Sequence, residues 1–377
     1  MKIFFDCTFL RNRHTGVDVY FFNLVRNLLE IDKENEYTIL VDKRYDIKYL
    51  SGEIKQYSNY TILRIYSPLP LQVLYSGFFI PFYLRFKKFD VYHNPYFFGP
   101  LLKFICPQTN IVITVHDLYH RTVPAMMNKY LNLVFRFFAD NAIKKADNVI
   151  VISSQTQTDV IKYLNIPLNK LNLIYQALDN KFERIYAPTD NIEKFGLQKN
   201  KYILSVGKIL PSKGFDDLVK AFGIFVNKYG IQNIKLVIAG MHVGTYVEEI
   251  KSLIESLHIE QGVIKLPGYV SDAEIYSLYA DASIVVAPSH YEGFGFPILE
   301  GMKLGKPVIA RNASSLIEIV SNAGLLFNTV DELADDIYKI LNDNSLRQSL
   351  IEKGFERLKD FSWIESARKT LTVYYRN

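Results

Sequence analysis

Ser289 to Ala310 reads SHYEGFGFPILEGMKLGKPVIA, and its punctuation decides how the chain around it folds. Pro297 suits the first position of a helix, where its missing N–H is no loss. Gly305 then marks the helix stop, with Pro307 just beyond it. An apolar run, Ile284–Ala287, precedes the stretch, and another, Pro307–Ala310, closes it. Strand, loop, helix and strand in that order is the repeat of a parallel sheet. Glu292 falls in the loop, and Glu300 projects from the first helical turn. Free N–H groups and the positive end of the helix dipole face whatever occupies the loop. A carboxylate at a helix start can simply favour the dipole. That reading leaves Gly293, Gly295 and the second carboxylate unexplained. A polyol held by carboxylates, beside a phosphate on the helix terminus, would use all of them. That is the chemistry of a nucleotide sugar.

The same alternation extends in both directions. Candidate strands in the first half are Lys2–Asp6, Tyr37–Val41, Thr61–Ile65, Val91–His93, Asn110–Val115, Asn148–Ile152 and Leu171–Ile174. A second series runs Tyr202–Val206, Lys235–Ala239, Val263–Leu266, Ile284–Ala287 and Pro307–Ala310. Between them Asp179 to Asn200 is polar, contains Pro188 and lacks apolar periodicity, so it reads as the linker. The last segment, from Trp363, is a detached helix pattern. The expected fold class is α/β, two doubly wound parallel-sheet domains, with residues 1–180 and 363–377 in one and 181–362 in the other. A ligand crevice between them would lie at the carboxyl ends of the strands.

At 377 residues the chain is long for one core and suits two domains of ordinary size. Its 49% hydrophobic and 22% charged residues are a globular composition. Cys7 and Cys106 stand at neither metal nor redox spacing, which favours a reducing compartment. MKIFFDCTFL carries Asp6 inside its apolar run and offers no cleavage site, so it reads as a buried first strand rather than a signal peptide. Residues 1–180 carry a net charge of +6 and residues 181–377 one of −1. That hints at an anionic partner for the first half, but no basic run or recognition motif points to nucleic acid. Between Arg64 and Arg85 no residue is charged, while Pro68, Pro70 and Pro81 interrupt the apolar run and Lys87 and Lys88 follow. Three readings stay open for this 65–88 region: a partly buried helix under a loop, an element lying on an anionic membrane surface, or a true membrane span.

Other loops supply polar groups at strand ends. SVGKILPSKG, Ser205 to Gly214, runs from a strand through Gly207 into a loop with Lys208 and Lys213 and then a helix. Two lysines there can grip a diphosphate. His116 and Asp117 follow the strand Asn110–Val115, where His116 is placed to hydrogen-bond a sugar hydroxyl or exchange a proton near neutral pH. Gly16 precedes a helix and would let backbone approach a phosphate. No Asp-x-Asp pair and no His/Cys cluster suggests a metal.

Taken together, these segments resemble the family 4 retaining glycosyltransferases of the GT-B fold. The likeness is carried by the Gly16-Val17 loop, His116-Asp117, VISSQTQTDVIKYLNIP, SVGKILPSKG, LPGYVSDAEIYSLYADAS and the E-x7-E pair Glu292 and Glu300. The resemblance implies two Rossmann-like domains facing across a deep cleft. It implies that Glu300 binds the ribose hydroxyls and that Glu292 approaches the donor sugar, helped by the backbone N–H groups of Phe294 and Gly295. Lys213 takes the phosphate-gripping position. Lys208 stands where the family more often has arginine, keeping the charge but losing the bidentate fork. Tyr269 and Val270 fall where backbone meets the nucleobase, Gly16 would close on the diphosphate and His116 would face the donor sugar. The final helix would cross back onto the first domain.

The implied activity is a retaining, metal-independent transfer of a hexose, mannose or rhamnose, from a UDP-, GDP- or dTDP-linked donor. The acceptor would be a glycan hydroxyl, on a lipid-linked glycan, in O-antigen, capsule or exopolysaccharide synthesis. No cofactor is implied, and the place would be the cytoplasm, at the inner face of the plasma membrane. An epimerase of similar fold, or a non-catalytic nucleotide-sugar-binding subunit, are the alternatives. A phosphorylase would need a pyridoxal lysine site, which the sequence does not reveal.

Overall fold

The computed structural model describes every residue except 11–15, 46–51, 53, 68–70, 125–126, 180–181, 183–191, 232, 258, 261 and 377. The chain divides into two compact units. Unit 1 is Met1–Ala177 with Ser362–Asn377, and unit 2 is Leu178–Phe361.

Unit 1 is built on β1 (Lys2–Cys7), β2 (Glu36–Asp42), β3 (Tyr60–Ile65), β4 (Val91–Asn94), β5 (Asn110–Val115), β6 (Asn148–Val151) and β7 (Leu171–Leu173). Their order is β3-β2-β1-β4-β5-β6-β7, every neighbour parallel. A parallel sheet is covered on both faces, which is why its strands read as near-continuous apolar runs. Successive side chains alternate between the faces. Phe4 packs with Phe89 and Tyr83 on one side, while Phe5 meets Phe21 and Tyr374 on the other. That second side holds the helices Gly16–Ile31 and Trp363–Tyr374, with Tyr20 edge-on to Trp363. The chain's last helix is therefore part of unit 1.

Unit 2 holds β8 (Tyr202–Val206), β9 (Lys235–Ala239), β10 (Ile264–Gly268), β11 (Ile284–Ala287), β12 (Val308–Arg311) and β13 (Leu325–Phe327). The order is β10-β9-β8-β11-β12-β13, again parallel throughout. The winding reverses between β8 and β11, the switch point where open α/β sheets bind ligands. β13 is the one strand that the sequence pattern does not anticipate.

Helix boundaries follow the glycine and proline punctuation. The helix Phe296–Lys303 starts from Gly295 at φ 126°, carries Pro297 in its first turn and stops before Gly305 at φ 66°. The helix Phe215–Tyr229 starts from Gly214 at φ 64°. The uncharged stretch after Arg64 forms helices Leu71–Leu74 and Ile80–Lys87 joined by a π-helical turn, Tyr75–Phe79. Pro68 and Pro70, and half of the expected linker, lie outside the described residues. Among the described residues no helix is long and apolar enough to cross a membrane.

Candidate active site

Two loops meet at the switch point of unit 2, one following β8 and the other β11. The His290 N–H donates to the Ser212 carbonyl at 2.9 Å. A Cβ on Gly214 would stand 2.3 Å from the Pro288 carbonyl oxygen, so only glycine permits this approach. The β8 loop is equally close to its other neighbour. A Cβ on Gly240 would fall 1.8 Å from the Gly207 carbonyl oxygen. Arg311 ties the construction to the next helix, donating to the Pro288 carbonyl at 2.8 Å and to the Asp217 carboxylate at 2.5 Å.

These loops bring Lys213 and Glu292 together. Lys213 Nζ lies 2.5 Å from Glu292 Oε1, and the two side chains are 24% and 14% exposed. Ser289 Oγ donates to the same oxygen at 2.8 Å. The Glu292 backbone is clamped from the β12 loop. Its N–H donates to Ser314 Oγ at 3.1 Å, while its carbonyl accepts from Ser314 Oγ at 2.6 Å and Ser315 Oγ at 2.9 Å. Ser315 Oγ also donates to the Phe294 carbonyl at 2.7 Å. Neither serine, nor Arg311, is marked by the sequence reading. Their contacts are long-range, and only their position after a candidate strand could have drawn attention to them.

Glu300, expected in the first helical turn, is the fifth residue of the helix Phe296–Lys303 and so lies just past that turn, half-buried beside Tyr279. Burial, and then the Glu300 charge, push the Tyr279 hydroxyl well above its ordinary value. Phe294 is buried, with Phe296 and Phe361 against its ring. Tyr269 is 63% exposed and Val270 half-buried just past β10. Gly268 before them is fastened by the Gly240 N–H, 2.9 Å from its carbonyl. Lys208 is exposed and makes no ion pair with a described residue. Unit 2 thus gathers two carboxylates, two lysines, a helix N-terminus and an exposed tyrosine around the ends of β8, β10 and β11. Asp216, Asp217 and His290 also place three potential metal-ligand atoms within 4.8 Å of one another. Those carboxylates are already countered by Lys220 and Arg311.

Unit 1 treats its candidates differently. Gly16 is exposed at the start of its helix, and residues 11–15 before it lie outside the described residues. His116 does follow β5, but it is only 6% exposed, its Nε2 lies 2.9 Å from the Pro95 carbonyl and Tyr20 covers the ring edge-on. Burial lowers its pKa to about 4. The expectation of proton exchange near neutral pH is therefore corrected: the imidazole is neutral at pH 7, because the protein has taken its water away.

Comparison with known proteins bears on both halves. The family profile described as Glycosyltransferase Family 4 matches residues 14–182, and that described as Glycosyl transferases group 1 matches residues 189–357. The chain is 29% identical over 299 residues to O-antigen chain mannosyltransferase B of Escherichia coli, covering 77% of this chain and 75% of that one. It is 25% identical over 280 residues to the serotype-specific mannosyltransferase WbdA of Escherichia coli, covering 73% of this chain but 33% of that longer protein. Its fold is similar to the crystal structure of Anabaena Alr3699/HepE in complex with UDP and glucose, with a TM-score of 0.74 and 19% identity over 99% of this chain and 98% of that one.

Proposed function

The chain belongs to glycosyltransferase family 4 and has the GT-B fold, and from that premise we propose that it moves a hexose, with retention and without a metal, from a nucleotide-diphosphate sugar to a glycan hydroxyl. The observation that carries the reading is the Lys213–Glu292 pair at the switch point of unit 2. Each group of the pair matches one part of the donor: the cation its diphosphate, the carboxylate its sugar hydroxyls. A partly exposed ion pair is worth about 0–1 kcal/mol. A hydrogen bond between a charged group and a ligand is worth roughly 1.5–3 kcal/mol. The donor therefore replaces the pair at little cost.

In this reading Lys213 and Lys208 hold the diphosphate, and Glu300 holds the ribose hydroxyls. The backbone near Tyr269 and Val270 meets the base, and the N–H groups of Phe294 and Gly295 assist Glu292 at the sugar. Charge builds on the departing phosphate as the sugar turns oxocarbenium-like. Cations and N–H groups already aimed at that phosphate are then the main catalytic asset. The likeness to an O-antigen mannosyltransferase favours mannose as the sugar and a surface polysaccharide as the product. A lipid-linked acceptor at the inner face of the plasma membrane, met through the 65–88 region, completes the proposal.

The test is a thermal-shift screen with UDP, GDP, dTDP and CMP and their sugars, without added metal. One nucleotide should stabilise the protein, and Glu300→Ala should abolish the shift. NMR of the product should show the donor's anomeric configuration, unchanged by EDTA. Inversion, or a strict need for a divalent ion, would overturn the reading.

A further inference from the structure

The helices on one face of the unit 1 sheet carry apolar side chains outward as well as inward. Two long helical stretches lie there, Leu71–Lys87 and Lys129–Lys145, each interrupted by a π-helical turn, Tyr75–Phe79 and Phe135–Ala139. Both feed the same buried cluster, through Ile80 and Leu84 from the first and Ala139 and Ile143 from the second. Leu101 joins them. Its N–H donates to the Gly77 carbonyl at 2.9 Å, and Lys145 Nζ donates to its carbonyl at 2.6 Å.

The outer sides are unusual. Phe79, Phe82 and Phe86 on the first stretch are 57–79% exposed, and Tyr130, Leu133 and Phe137 on the second are 57–83% exposed. Phe104, in the short turn beside the first, is 76% exposed. Single apolar side chains on a surface need no explanation, but a set on two adjoining helices does. The exposed charges on the two stretches share one sign. Arg85, Lys87 and Lys88 end the first stretch, and Lys87 Nζ lies 5.6 Å from the Phe86 ring centroid. Lys129, Arg136, Lys144 and Lys145 punctuate the second. Asp140 is the sole carboxylate within either stretch, and it is buried against His120 and Arg121.

We propose that the two stretches together, and not 71–87 alone, form one face that docks on a bilayer carrying anionic phospholipid. Aromatic rings among cations suit the headgroup layer, with rings at its depth and cations on the phosphates. A second copy of this chain is the wrong occupant, since it would set one group of cations against another. The inference extends the 65–88 contact of the proposed function and makes no use of the donor chemistry.

Vesicle flotation of the full chain tests it, with phosphatidylcholine alone and with added phosphatidylglycerol. The wild-type chain should float only with the anionic lipid. The second stretch is decisive. Lys129→Gln/Arg136→Gln/Lys144→Gln leaves the buried cluster alone and should weaken binding roughly 100-fold. Tyr130→Ser/Leu133→Ser/Phe137→Ser should abolish flotation while keeping the nucleotide-induced thermal shift. A wild-type chain that does not float, or second-stretch variants that float as wild type, would overturn the proposal. So would a vesicle-free dimer, seen by sedimentation velocity, that the apolar variant dissociates.

Discussion

The two doubly wound units place polar groups at the same point of their sheets and treat them in opposite ways. In unit 1 these groups are buried and answered by protein. Asp6, at the end of β1, accepts from Ser76 Oγ at 2.5 Å, Thr8 Oγ1 at 2.8 Å and the Tyr92 hydroxyl at 2.9 Å. His93, in β4, sits between the Tyr374 hydroxyl at 2.6 Å and Thr114 Oγ1 at 2.8 Å. In unit 2 the charged groups stay in reach of water, and Lys213 and Glu292 answer each other. A group whose partners are all protein, in a dry interior, holds structure. A charge whose partner is another partly exposed charge can be claimed by a ligand.

Glu292→Ala is the strongest way to break that contrast. Transfer should fall by about 10²–10³-fold, the usual loss when one electrostatic contact to a transition state is removed. Stability should fall by only about 1 kcal/mol, because Lys213 keeps partial access to water once its partner is gone. Initial rates and a thermal melt on the same preparation check both halves. A large drop in Tm would show that the pair holds the loop together rather than waiting for a donor.

What the sequence revealed divides along the same line. Twelve strands were legible because parallel strands are continuous apolar runs bounded by loop residues. β13 was not, since Leu325–Phe327 is three residues long and Asn328 ends the apolar run directly after it. Glu292, Glu300 and Lys213 stood out because glycine and proline fix the loops that carry them. Ser314, Ser315 and Arg311 did not, because their task is to hold backbone far away in sequence. His116 shows the limit most clearly. Its place after a strand was readable, but its burial depends on Pro95, just past the end of β4, and Tyr20 from a helix. The π-helical turns left no mark in the periodicity, and the outward rings they accompany were read in one stretch and missed in the other.

Acid sharpens the comparison with a smaller effect. Burial lowers the pKa of His93 to about 3 and that of His116 to about 4, against an ordinary 6.5. The unfolded chain therefore binds more protons than the folded chain between these values. Stability is fully present above pH 6.5 and is lost as pH falls from there toward 4. The slope is at most about 1.4 kcal/mol per pH unit for each histidine. The described histidines of unit 2, His242 and His290, are exposed. Urea melts at pH 7 and pH 5 should thus weaken unit 1 selectively, and His93→Gln should flatten the difference. An equal loss in both units would place the acid sensitivity elsewhere.

Tyr374→Phe is the finest probe, because it removes one oxygen and leaves the ring in place. Tyr374 belongs to the closing helix, and its hydroxyl is the partner of His93 Nδ1. Beyond His93 the chain of contacts continues through Thr114 Oγ1 to the Tyr20 hydroxyl at 3.0 Å, and the Tyr20 ring covers His116. Removing the Tyr374 hydroxyl leaves a buried ring nitrogen unanswered, at a cost of about 1–3 kcal/mol. The closing helix has a second tether nearby, where Asn110 Nδ2 donates to the Val373 carbonyl at 3.1 Å. Apolar packing of Trp363 and Val373 is also untouched. The expected result is therefore a lower midpoint in urea with no release of the helix to protease. If the helix does become cleavable after Ser362, the polar chain, not the packing, holds it on unit 1. An unchanged midpoint would mean that the histidine finds another partner, and the contrast between an answered unit 1 and an open unit 2 would lose its sharpest example.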